Sequence, residues 1–420
     1  MRLLVLSLMF PVPADNGHKM RIWTLLRALA AEGHELTLLS FIPANEVGDA
    51  IGVVRTVCQH VEVVPMKLPS LSSPNNFAGR VLTLPTALPY AAARFRSEAM
   101  RLRLIAQLMS SQPDTVLCET PYTLVNVPPF LPVPLIVDMH NIEHVLLERY
   151  LACEGNPLRR ACAWVECQKL KRWERRSCSR ASLALVCSEY DRSQLAGFLP
   201  ALATAVVPNA LDLSGYSPTP DDDRSTILYL GGMDWFPNRD AVEFFVFKIL
   251  PAVRELVPDV EFVVAGRGPT ESFRRKFECI PRVRFTGTVP DLREEIARAT
   301  VCVVPLRIGS GTRLKILEAA AMAKPIVSTR IGAEGLKFAD GKEIILVDEP
   351  QAFAKGVSRL LADKPRRREL GQAALRRVEQ DYSFPALRQA VRQALGHFAQ
   401  SPQPEFSELH ECATIREVAR

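Results

Sequence analysis

The stretch "VCVVPLRIGSGTRLKILEAAAMAKPIVST", residues 301–329, joins two apolar segments through a glycine-rich loop and a helical pattern. This strand–helix–strand order is typical of a parallel sheet covered by helices. The loop presents backbone N–H groups at the start of the helix, where anions bind well. Arg313 and Lys315 place two cations in the first turns, where the helix dipole disfavours positive charge. The stretch therefore predicts an α/β fold, and a bound anion at this loop is one explanation of the two cations.

Other properties of the same stretch bear on what binds there. Its glycine spacing is not the GxGxxG pattern of nicotinamide sites. Taken alone, the loop is equally compatible with an ordinary turn before a helix with solvated charges. Glu318 lies further along the helix, and its carboxylate would suit sugar hydroxyl groups, as ribose-binding acids do elsewhere.

The same alternation extends along the whole chain. Apolar segments occur at "RLLVLSL", "ELTLLSF", "VEVVPM", "TVLCE", "LIVDMH" and "LALVCS", and again at "TILYLGG", "VEFVVAG", "VRFTGTV", "VCVVPL", "PIVST" and "EIILV". Such segments suit parallel strands buried on both faces. The polar stretch "SGYSPTPDDDRS" between the two sets is typical of a linker. The pattern predicts two doubly wound α/β domains, with ligands bound at the carboxyl ends of the strands, in the cleft between them.

Composition narrows the class of protein. A chain of 420 residues is too long for one ordinary core. No apolar run reaches about 18 residues, so no membrane-spanning helix is expected. Ten cysteines without a CxxC pair indicate reduced thiols and a cytoplasmic protein, and a net charge of +6 is no signature of nucleic-acid binding. The N-terminal "MRLLVLSLMFPVPA" superficially resembles a signal peptide, but the loop, helix and strand that follow it directly favour a first β-strand.

Several motifs, in order, resemble those of family 4 glycosyltransferases. The donor half of that family is similar to "GGMDWFPNRDAVEFFVFKILPAVRELVPDVEFVVAGRGP", "VRFTGTVPDL" and the stretch quoted first. In the other half, "FPVPADNGHKMRIWTLLRALAAEGHELTLLSF", "VDMHNIEHVLLERY" and "VPNALD" resemble the first strand with its glycine loop, the active-site histidine loop and the lead-in to the linker. The resemblance implies the GT-B fold of two Rossmann-like domains facing across a cleft.

The resemblance also implies domain boundaries and an activity. Residues 1–208 are predicted to form the acceptor-side domain, 209–224 the linker and 225–384 the nucleotide-sugar-binding domain. Residues 385–400 are predicted to be a helix returning to the first domain, and 401–420 a flexible tail. The implied activity is sugar transfer with retention, from a nucleotide-diphosphate sugar as co-substrate, without cofactor or metal. The chain looks closest to members that build bacterial surface polysaccharides.

The resemblance assigns roles to individual residues. His140 is the implied active-site histidine, in contact with the donor sugar. Arg267 and Gly268 match the turn beside the nucleoside, Val289 the loop that reads the base, and Glu318 the ribose ligand. The full predicted donor site comprises Gly17, Gly232, Arg267, Gly268, Val289, Gly309, Ser310, Gly311, Thr312 and Glu318.

The chain departs from the family pattern at three positions. Ser310 stands where the family has the first glutamate of a pair, which puts the donor-sugar contacts in question. Met233 and Asn238 stand where many members have an arginine and a lysine facing the diphosphate. We expect Arg313 and Lys315 to supply these two charges instead and to stabilise the departing phosphate.

The acceptor is expected to be a saccharide or a lipid-linked saccharide, and residues 67–97 are expected to line its cleft. Residues 157–180 hold eight basic and two acidic residues, with Leu158, Ala161, Cys162 and Val165 at helical spacing. Such a helix, with Trp164 and Trp173, would suit peripheral contact with the inner membrane surface. An ordinary solvated helix covering the sheet is the alternative.

Two other classes of function share this architecture. A nucleotide-sugar 2-epimerase would need acids placed for proton transfer at the sugar, and none is evident in the sequence. A non-catalytic subunit that binds a sugar nucleotide would be consistent with the changes at Ser310, Met233 and Asn238. Nucleotide release that depends on an acceptor distinguishes a transferase from both.

Overall fold

A computed structural model describes residues 1–43, 49–66, 79, 83, 85–219 and 224–400. The predicted pair of doubly wound α/β domains is confirmed. Each domain contains one sheet in which every strand pair is parallel. Among the described helices, none combines the length and the apolar character needed to cross a membrane.

The first sheet has the strand order β3-β2-β1-β4-β5-β6-β7. Its strands are β1 (Arg2–Ser7), β2 (Glu35–Ile42), β3 (His60–Pro65), β4 (Thr115–Glu119), β5 (Leu135–Met139), β6 (Leu183–Val186) and β7 (Thr204–Val206). Its helices are α1 (Gly17–Ala31), α2 (Ala50–Val54), α3 (Tyr90–Ala93), α4 (Glu98–Ser110), α5 (Glu143–Cys153), α6 (Pro157–Cys178) and α7 (Glu189–Phe198), with a 3-10 turn at Pro121–Asn126. β4 and β5 are buried throughout because helices cover both faces of the sheet.

The second sheet has the order β10-β9-β8-β11-β12-β13. Its strands are β8 (Thr226–Leu230), β9 (Glu261–Ala265), β10 (Val283–Gly287), β11 (Val301–Val304), β12 (Ile326–Ser328) and β13 (Ile345–Leu346). The helical segments are the 3-10 turn Leu213–Gly215, α8 (Phe236–Phe244), the π-helical turn Phe245–Ile249, α9 (Leu250–Leu256), α10 (Glu271–Arg275), α11 (Leu292–Arg298), α12 (Leu314–Ala321), α13 (Pro350–Ala362), α14 (Lys364–Asp381) and α15 (Phe384–Gln400). The strand order reverses beside β1 in one sheet and β8 in the other, and such reversals create ligand crevices.

The chain crosses between the two cores at two places that lie side by side. Ala210 belongs to the first core and Leu211 to the second. At the other crossing, Tyr382 belongs to the second core, whereas α15 packs on the first core through residues such as Leu387 and Val391. The Leu211 backbone N–H donates to the Tyr382 carbonyl at 2.9 Å, so the two crossings are hydrogen-bonded to each other.

The basic helix buries side chains along its C-terminal part only. Residues 157–178 do form a helix, but Leu158 is 75% exposed, and Ala161 and Cys162 are exposed too. The buried side chains lie further along α6, at Cys167, Lys169, Leu170, Glu174 and Cys178. The first turns of α6 therefore lie outside the packed part of the domain, and membrane contact by these turns stays a prediction. Residues 67–78, 80–82 and 84 of the predicted acceptor segment and the predicted tail, residues 401–420, lie outside the described residues.

Candidate active site

The two domains meet at the two glycine loops that the sequence singled out. Gly17 opens α1, and a methyl group added to it would lie 3.3 Å from Leu314 Cδ1 at the start of α12. Gly311 has φ +71° and packs on the backbone carbonyl of His140, where an added methyl group would overlap the oxygen. The loop after β11 therefore touches the loop after β5, and the predicted donor loop lies next to the predicted active-site histidine.

His140 lies at the centre of a buried polar cluster. Its Nε2 is 2.6 Å from Glu119 Oε2 and 3.1 Å from Asp138 Oδ2. Its Nδ1 is 3.1 Å from the Nδ1 atom of His18. Glu119 and Asp138 face each other in register at the carboxyl ends of β4 and β5. These strand ends and the first turn of α1 bring four titratable side chains together.

The charges of this cluster determine its protonation. Burial alone would lower the pKa of His140, but the carboxylates of Glu119 and Asp138 raise it to about 9. Burial and the neighbouring Asp138 raise the pKa of Glu119 above its ordinary value. Burial also raises the pKa of Asp138, but Arg21 and His140 outweigh it and hold that pKa well below the usual range. An imidazolium between two carboxyl groups is the state that these contacts favour.

Arg21 connects this cluster to the second domain. Its Nε donates to Asp138 Oδ2 at 2.8 Å, and its Nη1 donates to Asn209 Oδ1 at 3.0 Å. The Asn209 amide donates in turn to Thr312 Oγ1 at 2.6 Å. A continuous set of hydrogen bonds thus runs from the partner of His140 to the donor loop.

Glu119, Asp138 and His140 also meet a distance requirement for holding a metal ion, because one ligand atom from each lies within 4.8 Å of the others. The hydrogen bonds already present compete with such a use. Asp138 is paired with the guanidinium of Arg21, and a proton between His140 and Glu119 satisfies their 2.6 Å contact. We therefore treat the three residues as a hydrogen-bonded cluster.

Ser310 takes part in the contact between domains. Its hydroxyl accepts from the Ile142 backbone N–H at 3.2 Å and lies 3.3 Å from the Ile142 carbonyl. A glutamate side chain at this position would reach further than a serine. The substitution therefore leaves a short hydroxyl, bound to the histidine loop, where the family pattern has a carboxylate.

Arg313 and Lys315 lie in different surroundings. The Arg313 guanidinium is buried and donates to the carbonyls of Ser310 and Gly311, so it holds the glycine loop in shape. The Lys315 ammonium lies 2.9 Å from Asn238 Oδ1 and 2.9 Å from Tyr229 Oη. Asn238 is one of the positions that lacks its expected charge, and Lys315 brings a cation to it. The contact of either residue with a diphosphate stays a prediction.

Burial shifts the titration of the side chains at this end of the site. Burial and the charge of Arg313 lower the pKa of Lys315 to about 7. Burial raises the pKa of Glu318 to about 7, and Tyr216 Oη lies 3.4 Å from its Oε1. Both groups lose part of their charge near neutral pH, so ligand binding at either should depend on pH.

The remaining predicted donor residues surround the end of the second sheet. Gly232 accepts from the Asn238 amide at 2.8 Å through its carbonyl. Arg267 reaches across the cleft, with Nη1 3.3 Å from Asp15 Oδ2, and Gly268 follows it with φ +76°. Val289 is half-buried just after β10. These positions are compatible with a nucleoside at the carboxyl ends of β8, β9 and β10.

Arg149 of the first domain is hydrogen-bonded to the second domain beside the glycine loop after β11. Its guanidinium donates to both carboxylate oxygens of Glu334, at 2.6 and 2.8 Å, and to the carbonyl of Gly309. Sequence inspection missed this pair, as it missed His18, Arg21 and Glu119. Two sequence signals could have identified part of the polar cluster. Asp138 and His140 lie on the same face of a strand end, and Arg21 follows Gly17 by one helical turn.

Comparisons with known proteins agree with this architecture. The model described as "Glycosyltransferase Family 4" matches residues 16–214, and the model "Glycosyl transferases group 1" matches residues 224–363. Glycogen synthase of Mycobacterium tuberculosis is 23% identical over 97% of this chain and 98% of its own. A 44.6 kDa protein of unknown function from the cps region of Klebsiella pneumoniae is 21% identical over 91% of this chain and 96% of its own.

Solved structures share the fold over nearly the whole chain. Sucrose-phosphate synthase from Thermosynechococcus elongatus aligns with a TM-score of 0.69 at 20% identity, covering 96% of this chain and 100% of that one. HepE from Anabaena, solved with UDP-glucose, aligns with a TM-score of 0.65 at 14% identity, covering 94% of this chain and 100% of that one.

Proposed function

Because the chain belongs to the family 4 glycosyltransferases and has their GT-B fold, we propose that it moves a sugar from a nucleoside-diphosphate sugar to a saccharide or lipid-linked acceptor with retention. The reaction needs no metal ion or other cofactor, and it contributes to cell-surface polysaccharide biosynthesis. The gene region named for the Klebsiella relative supports that setting.

One observation carries the proposal. The donor loop of the second domain lies in direct contact with the histidine loop of the first, through Gly311 and His140. A donor at this junction would have its diphosphate at the start of α12 and beside Lys315, and its sugar towards His140. Each part of a sugar nucleotide would then meet a group of suitable chemistry.

The chemistry follows from where charge develops. When the bond between the anomeric carbon and the diphosphate oxygen breaks, its electron pair passes to the phosphate. Backbone N–H groups at the start of α12 and the Lys315 ammonium would stabilise that charge. The acceptor hydroxyl forms the new bond on the same face of the sugar and gives its proton to the departing phosphate. This route gives retention without a nucleophilic carboxylate.

The structure narrows the surface available for membrane contact. Lys169 is buried and donates to the Thr83 carbonyl at 2.6 Å, and Trp173 stacks on Tyr122 with ring centroids 6.0 Å apart. Trp173 is one of the two tryptophans predicted to contact the membrane, and Lys169 is one of the eight basic residues of the same segment. Leu158 and Trp164 are 75% and 58% exposed, beside Arg159 and Arg160. We therefore assign peripheral contact with an anionic surface to the first turns of α6.

A sequence of two experiments tests the function. A thermal-shift screen with UDP-glucose, GDP-mannose and ADP-glucose first finds the donor nucleotide. The selected donor is then incubated with and without saccharide and lipid-linked saccharide acceptors, and free nucleotide is measured. Release that requires an acceptor, with an unchanged anomeric configuration by NMR, supports the proposal. Interconversion of the donor without acceptor would indicate an epimerase, and binding without either reaction would indicate a non-catalytic subunit.

A further inference from the structure

His18 and His140 approach each other through the same ring atom. Their Nδ1 atoms are 3.1 Å apart, and their ring centroids are 4.4 Å apart with a tilt of 52°. A hydrogen bond between two such nitrogens needs a proton on one and a lone pair on the other. The contact therefore links the tautomer of one ring to the protonation of the other.

The surroundings of His140 decide which ring donates. Its Nε2 lies 3.1 Å from the carboxylate of Asp138, which Arg21 keeps ionised and which therefore only accepts, so Nε2 carries a proton. Two carboxylates also favour a second proton on the same ring, as the pKa of about 9 for His140 indicates. His140 Nδ1–H then donates to His18 Nδ1, and the proton of neutral His18 must be on Nε2. Burial and the charge of His140 lower the pKa of His18 well below its usual value, in agreement with a neutral ring.

Nε2 is the ring nitrogen of His18 that makes no hydrogen bond within the described part of the chain. Among the residues that the structure describes, His18 Nε2 is inaccessible to solvent and has no hydrogen-bond partner. The same is true of Glu119 Oε1 and Thr120 Oγ1, at the neighbouring strand end. Buried polar atoms without partners are rare in folded proteins, so a partner from outside the described chain is expected for His18 Nε2.

We propose that His18 is a donor-binding residue that presents Nε2–H to an oxygen of the nucleotide sugar, and that His140 is the positioning residue that fixes this tautomer. The inference rests on the proposed function, because it takes the ligand to be a sugar nucleotide. His18 directly follows Gly17, which meets Leu314 at the junction of the domains, and its ring lies against His140, so a donor bound at this junction would lie close to it. The oxygen belongs either to the diphosphate or to the sugar.

Histidine NMR tests the tautomers without any ligand. Long-range ¹H–¹⁵N spectra of the ¹⁵N-histidine protein distinguish the two ring nitrogens, and His18→Gln and His140→Gln variants assign the signals. At pH 7.5 we expect both nitrogens of His140 to be protonated and only Nε2 of His18. A proton on His18 Nδ1, or a charged His18 ring, would overturn the inference.

A matched pair of variants tests the contact with the donor. A glutamine amide lies where histidine has Nε2, whereas an asparagine amide lies nearer Nδ1. His18→Gln therefore keeps a hydrogen-bond donor at the Nε2 position, and His18→Asn does not. We expect His18→Asn to weaken donor binding at least about tenfold and His18→Gln to lose much less, in calorimetric titrations with the donor selected by the thermal-shift screen. Equal losses, or a greater loss in the glutamine variant, would contradict the proposal.

Two further readouts separate the possible outcomes. A loss shared by the nucleoside diphosphate and the sugar nucleotide assigns the contact to the diphosphate, whereas a loss confined to the sugar nucleotide assigns it to the sugar. If the parent protein bound none of the three donors, the proposed function and the donor contact would both fail. The NMR result would still decide the protonation of the histidine pair independently.

Discussion

Gly311 of the second domain rests on the backbone carbonyl of His140 of the first, in a left-handed conformation that leaves no room for a side chain. Replacing Gly311 with alanine should therefore push the donor loop away from the histidine. We expect kcat/KM to fall by more than about tenfold, together with a backbone cost of about 1–2 kcal/mol. Gly33→Ala is the matched control, since Gly33 has φ +82° and nothing within 4 Å of an added methyl group. Similar activity losses in both variants would show that backbone strain, and not the contact, matters.

Lys315 should bind the diphosphate in a pH-dependent way. Its pKa of about 7 rises when a diphosphate binds, so binding takes up a proton, and affinity should fall as the pH rises through 7. Lys315→Met should weaken UDP binding by about 1.5–3 kcal/mol, leave uridine binding unchanged and remove this pH dependence. Calorimetry in buffers of different ionisation enthalpy measures the proton uptake. Lys276→Met, at an exposed site on the same domain, serves as the control. Equal losses for UDP and uridine would remove Lys315 from the phosphate site.

Glu318 should show the opposite dependence on pH. A ribose is bound by the ionised carboxylate, and the pKa of Glu318 lies at about 7, so affinity should fall as the pH drops below 7. Glu318→Gln should weaken nucleoside and nucleotide alike, because both contain the ribose. Titration of uridine and UDP at pH 6 and pH 8 measures the effect. An unchanged affinity for uridine would show that Glu318 contacts something other than the ribose.

The free energy of unfolding should fall at alkaline pH, because His140 then loses the proton that stabilises the folded protein. A histidine has a pKa of about 6.5 in the unfolded chain, and His140 has one of about 9 when folded beside Glu119, Asp138, Arg21 and His18. Its contribution, up to about 3 kcal/mol, is fully present below pH 6.5 and is lost as the pH rises through 9. Urea unfolding between pH 6 and 9.5 should show this decline in the parent and not in His140→Gln. The variant should also turn over at least about tenfold more slowly. A parent whose stability is flat over this range would contradict the imidazolium assignment.

The first turns of α6 should mediate binding to anionic vesicles at low salt. Each cation near such a surface contributes about 1 kcal/mol, and salt screens the attraction. We expect Arg159→Gln with Arg160→Gln and Trp164→Ala to abolish co-sedimentation. Arg172→Gln with Arg176→Gln removes the same charge further along the helix and should leave most of the binding. If both variants lose binding equally, net charge and not this surface is responsible.

Sequence patterns were sufficient for the architecture, because it depends on signals that repeat along the chain. Inner strands such as β4 and β5 are buried on both faces, and the glycine loops follow strand ends. Gly311 and Lys315 could be singled out for the same reason: a glycine loop and a cation at a helix start are local patterns.

Contacts made by residues far apart in the chain could not be predicted in this way. The polar cluster joins His18, Glu119 and His140 from three separate elements, and no periodicity relates them. Arg313 was paired with Lys315 because the two are close in sequence, yet its guanidinium turns back onto the carbonyls of its own loop. Helical spacing also favoured an apolar face at Leu158 that the fold leaves exposed, because spacing does not reveal where a helix leaves the domain.

The paired crossings of the chain should limit how the two domains move relative to each other. A single linker would let one lobe swivel freely on the other. Here the backbone passes between the domains twice, and the two crossings are held next to each other by the hydrogen bond between Leu211 and Tyr382. Two parallel attachments resist twisting and sliding but permit rotation about the line that joins them. The cleft should consequently open by a hinge rotation about the two crossings. The donor loop should then separate from the histidine loop and return to it by the same rotation.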